Sequence, residues 1–158
     1  MKFSHLNSTL IGLVFFLSFS AYGMTETISQ SESDAARILM LEKALAPKDP
    51  EEVAALFAKA NKERNGAVQF MLFSDSLKSE FKNNWPYWVS GTSSPWITSY
   101  AIKKMAQTKT SCEFLITYQW ATASGPFQPP LTQKITIEPV PKTADSSQEW
   151  WITSFNED

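Results

Sequence analysis

Apolar residues recur every three to four positions in the first half of this chain and every second position in its last third. A helical period near 3.6 gives way to a strand period of 2. Ala35, Ile38, Leu41 or Glu42, and Leu45 fit one helical face, so the spacing predicts a helix from Asp34, capped by Ser33 or Asp34, that stops at Ala46-Pro47. Asp49-Pro50-Glu51-Glu52 is the strongest helix start in the chain. Asp49 can accept backbone N–H groups, Pro50 suits the first helical position, and the two glutamates complement the positive helix end. Val53, Leu56, Phe57 and Ala60 form its buried stripe, and Asn65-Gly66 reads as its stop. A further helical piece carries Ala67, Phe70, Met71, Leu77 and Phe81 inward, with a break at Ser74-Asp75.

Strands are expected over 97–105, 111–121, 131–140 and 149–155. In the second, Cys112, Phe114, Ile116, Tyr118 and Trp120 alternate onto one face and Glu113, Leu115, Thr117 and Gln119 onto the other. Leu131, Gln133, Ile135 and Ile137 share a face of the third. Gly125 to Pro130 reads as a long turn between them. Short loops make a sequential antiparallel meander the default. Helices followed by a meander predict an α+β fold, with helices packed on a curved four-stranded sheet.

Between the two regimes lies Trp85 to Tyr100, with three of the six tryptophans, two tyrosines, two prolines and a glycine. Trp85, Tyr87, Trp88 and Trp96 read first as a plug between helices and sheet, because aromatics in small domains usually fill the core. The competing reading is a ligand cleft lined by Trp88, Trp96, Tyr100, Tyr118 and Trp120. The adjacent Trp150 and Trp151 must point to opposite faces of a strand. One of them is therefore exposed or covered, with a second copy of the chain as one cover.

The N-terminus changes the domain count. Lys2, the apolar run Leu10 to Phe19 and the small residues around Ala21-Tyr22-Gly23 have the pattern of a secretory signal over residues 1–23, cut before Met24. The apolar run is short of the ~20 residues of a membrane span. Residues 24–33 are polar and read as a flexible leader, and 34–156 as one domain. The expected location is the bacterial periplasm or the exterior, with no stable membrane insertion after cleavage.

Charge and composition then exclude chemistry. The chain has 14 basic and 16 acidic side chains, interspersed, so nucleic acid is not an expected partner. The one histidine, His5, lies in the signal, and Cys112 is the one cysteine, which excludes an internal disulfide. No metal site, no cofactor and no catalytic residue is expected. Cys112 alternates onto the apolar face, as an inert buried thiol would. The rival reading is an isomerase- or hydrolase-like enzyme with Glu113 or Asp75 as base. A third is a structural subunit of an envelope complex.

Asn65-Gly66, Gln69-Phe70-Met71, Ser74 with Leu77-Lys78, the run Trp88-Val89-Ser90-Gly91-Thr92-Ser93-Ser94-Pro95-Trp96 with Tyr100, and the closing Trp151-Ile152 resemble small extracytoplasmic bacterial modules of the nuclear-transport-factor-2-like superfamily. The resemblance runs from about Asp49 to Phe155 and implies a cone of helices against a bent, cystatin-like sheet with a cavity at the wide end. Enzymes of that superfamily typically use an inward Asp or His, and this chain departs from that pattern. The resemblance therefore implies a non-catalytic binding or accessory module, with an apolar small molecule or a cell-envelope protein as partner.

Overall fold

The computed structural model describes residues 29–82, 95–142 and 148–157. The expected signal, and Trp85, Tyr87, Trp88 and Gly91 of the aromatic stretch, lie outside them. Four helices precede four strands: α1 (Gln30–Leu45), α2 (Pro50–Lys62), α3 (Gly66–Met71), α4 (Asp75–Phe81), β1 (Trp96–Gln107), β2 (Cys112–Thr122), β3 (Gly125–Pro139) and β4 (Trp150–Glu157). Each strand pairs antiparallel with its sequence neighbour in the order β1-β2-β3-β4. The fold is α+β, and the change of period marks where one half ends and the other begins.

The start of α2 follows from its sequence. Asp49 accepts the Glu52 N–H at 2.8 Å, and the Glu52 carboxylate reaches back to the Lys48 N–H at 2.8 Å. Val53, Ala54, Phe57, Ala58 and Ala60 are buried where α2 lies against the sheet. Its first turn is tied to β1 by Lys104, whose Nζ sits 2.6 Å from Glu51 Oε1. The helix ends differently from expectation. Arg64, not Asn65 or Gly66, takes positive φ, at 61°. The Asn65 N–H then reaches the Ala60 carbonyl and the Arg64 N–H the Asn61 carbonyl, closing the last turn with two crossed bonds. Asn65 serves the next helix instead, accepting from the Val68 N–H at 3.1 Å. Ser74 caps α4, so the expected break at Ser74-Asp75 is present. Ala67 is exposed rather than inward.

At α1 the expectation fails twice. The helix begins at Gln30, inside the expected flexible leader, because Ser29 and Glu32 form a capping box: Ser29 Oγ accepts the Glu32 N–H and Glu32 Oε2 accepts the Ser29 N–H. It also buries no residue. Ile38, Leu39, Met40 and Leu41 are consecutive, so they are spread around the helix rather than along one face. All four are more than half exposed, Met40 at 69 %.

β3 begins earlier than expected. Gly125, at φ 123°, pairs with Thr122, leaving Ala123-Ser124 as the turn. The expected long turn is mostly strand: Pro126 pairs with Ala121 and Phe127 with Trp120. Pro129 and Pro130 fall where the register shifts, between the Tyr118 and Trp120 rungs, and a bulge is where a strand tolerates residues without an N–H. β4 runs two residues past the expected Phe155, to Glu157.

The core between helices and sheet is built on phenylalanine. Phe73 lies 6.0 Å from Phe57 and 5.8 Å from Phe81, centroid to centroid, and Phe155 closes on Phe57 at 5.8 Å. Leu72, Phe73 and Ile152 are fully buried. The backbone there is stitched as well: the Ile152 N–H donates to the Leu72 carbonyl and the Ser74 N–H to the Ile152 carbonyl, each at 2.8 Å. This short parallel bridge covers the outer border of β4.

Candidate functional site

Register sorts the predicted rings. Tyr100 pairs with Tyr118, and Ile97 with Trp120, so these four share the side of the sheet that carries Phe114 and Ile116. Trp96 pairs with Ala121 and falls on the other side, 39 % exposed. The register shift between Ile97 and Ser99 explains this: it adds a residue to β1 and spoils simple alternation. The structure thus brings Tyr100, Tyr118 and Trp120 together and leaves Trp96 apart. Trp88 lies outside the described residues.

Trp120 is held at the rim of this face. Its Nε1 donates to the Pro129 carbonyl at 3.0 Å, and the ring stands edge-on to Phe127 at 5.0 Å. Tyr100 is half-buried and lies 6.2 Å from the Tyr118 ring. Tyr118 itself is fully buried.

Beside these rings runs a polar chain that crosses three elements. Asn61 of α2 donates through Nδ2 to Gln133 Oε1 of β3 at 3.3 Å. Gln133 donates through Nε2 to Glu157 Oε2 of β4 at 3.2 Å. Asn61 and Gln133 are buried, while Glu157 is exposed at the outer end. The Tyr118 hydroxyl lies beside this chain, and among the described residues it closes no hydrogen bond of good geometry. Burial pushes the Tyr118 phenol far above its usual range. Asn61 pulls it back, and Tyr100 and Glu157 add to the rise. The phenol therefore stays protonated across the physiological range and can donate or accept a hydrogen bond without titrating.

The other carboxylates stand elsewhere. Glu113 is on the opposite side of the sheet, 3.0 Å from Lys134, and Asp75 is exposed in the first turn of α4. Neither converges on Tyr118, as a paired acid and base would have to. Cys112 is buried, with a free thiol. Among the described residues no group of three His, Cys, Asp or Glu gathers as metal ligands, and no helix is long and apolar enough to cross a membrane.

Asn61, Gln133 and Glu157 are the residues that sequence reasoning missed. Two of them left a signal. Gln133 is the polar member of the Leu131, Gln133, Ile135, Ile137 face, and Asn61 continues the Val53, Phe57 stripe by one turn. A polar residue on an otherwise apolar face needs a reason. Compared with known proteins, the chain matches no family model and no curated protein.

Proposed function

We propose that this protein is an exported binding module of the nuclear-transport-factor-2-like type, which holds an amphiphilic ligand between α2 and the Tyr118 face of the sheet. One observation carries the reading. Tyr118 is 0 % exposed, yet its hydroxyl closes no hydrogen bond of good geometry among the described residues, although Asn61 lies beside it. A core selected for stability alone gains nothing from an open hydroxyl, which costs about 1–3 kcal/mol when buried without a partner. A binding site gains orientation from it. The helices-then-meander order and the placement of α2 against all four strands support the cone-shaped form of the fold. The signal-like pattern of residues 1–23 supports a periplasmic or secreted location.

The reading is non-catalytic because the carboxylates nearest in kind to a general base, Glu113 and Asp75, stand away from the ring cluster. Native mass spectrometry of the purified protein with envelope lipid extract and a panel of hydrophobic compounds tests it. A retained ligand, lost on Tyr118→Phe with the fold intact, is the expected result. No retained ligand from any source ends the reading.

A further inference from the structure

We infer that the polar end of this site takes the hydrogen-bond-donor head of an amphiphile, a protonated amine above all, and turns carboxylates away. The inference rests on the binding reading above and specifies its ligand. Glu157 sets the direction of every bond behind it. A carboxylate only accepts, so Gln133 must present Nε2 to it, which leaves Gln133 Oε1 facing Asn61. Asn61 must then present Nδ2 to Gln133. The N–H groups of Gln133 and Asn61 are therefore spent along the chain, each aimed toward Glu157 at its outer end.

What is left at the outer end is the second oxygen of Glu157, with a negative charge and exposure to solvent. Three cations near the sheet are engaged elsewhere. Lys104 is held by Glu51 and lies 6.0 Å over the Phe114 ring, Lys134 pairs with Glu113 on the opposite side, and Arg64 donates to the Pro95 carbonyl at 2.7 Å. Among the described residues no cation pairs with Glu157. An anionic head arriving here meets the like charge of Glu157, whereas an ammonium meets a carboxylate with the Tyr100 and Trp120 rings on the same face. Deeper in, the Tyr118 O–H is open to a hydroxyl, ether or carbonyl oxygen of the ligand body.

The test is calorimetric titration of the full-length chain, expressed with its leader and purified as the cell leaves it. The probes are dodecylamine, dodecanol and dodecanoate at pH 7, each below its micelle threshold. The amine is expected to bind at least about tenfold tighter than dodecanoate, with the alcohol between them. Glu157→Gln is expected to bring the amine-to-carboxylate ratio within about threefold, while Glu138→Gln leaves it as in the parent. Dodecanoate binding as tightly as the amine, or a ratio that survives Glu157→Gln, overturns the inference and leaves the binding reading standing. Failure of all three probes to bind overturns both.

Discussion

Tyr100 and Tyr118 face each other across the β1–β2 ladder with ring centroids 6.2 Å apart, yet Tyr118 is fully buried and Tyr100 reaches the surface. One pair of like residues thus connects the interior of the domain to its rim.

The buried member controls behaviour at high pH. The folded state holds the Tyr118 proton to a higher pH than the unfolded chain does, so the group's contribution is intact below its unfolded pKa of about 10 and is lost as pH rises beyond it. The slope reaches about 1.4 kcal/mol per pH unit for one proton. Tyr118→Phe removes that slope. Urea unfolding at pH 8, 10 and 11 is expected to show the parent losing stability relative to Tyr118→Phe only above about pH 10. At pH 7 Tyr118→Phe is expected to be the more stable by about 1–3 kcal/mol, because it removes the unpartnered hydroxyl.

Gln69 offers a second test of buried polarity. It is fully buried, and among the described residues neither atom of its amide finds a partner. Gln69→Met keeps the shape and removes the desolvated amide, so a gain of about 1–2 kcal/mol in chemical denaturation is expected. A loss of that size would show that the amide has a partner that matters.

Phe73 anchors the ring cluster of the core, with Phe57, Phe70, Phe81 and Phe155 all within 6.5 Å of it. Phe73→Ala is expected to cost about 3–5 kcal/mol, read as a fall in the denaturation midpoint at unchanged slope. Trp96→Ala, at an exposed ring on the far side of the sheet, is expected to cost less than about 1 kcal/mol.

α1 makes the opposite prediction. It contributes no buried residue, so a chain starting at Ala46 is expected to melt within about 3 °C of the parent in calorimetry. A drop of ten degrees or more would mean that the apolar run Ile38 to Leu41 does pack on the domain in solution.

Much of this fold was legible because local chemistry and final structure agree. Asp49-Pro50 starts α2, the Cys112 to Tyr118 alternation is the buried face of β2, and the meander order is the simplest one. Misreadings came where one residue serves two neighbours. Asn65 looked like the end of one helix and is the cap of the next, so the left-handed position fell to Arg64. Ser29 and Glu32 form a box three residues apart that a search for apolar period passes over. The proline pair in β3 suggested a turn, where a register shift makes room for it. The site was half legible. Alternation found Tyr118 and its neighbours, but no pattern within a strand shows that Asn61, Gln133 and Glu157, from three separate elements, meet in a line.

The stitch between Leu72–Ser74 and Ile152 spans roughly eighty residues, among the slowest kinds of contact to form because long loops must close first. The segment Leu72–Ser74 therefore gains its sheet partner only from the last strand of the fold. A polypeptide cut short before β4 therefore lacks the segment that completes the phenylalanine cluster.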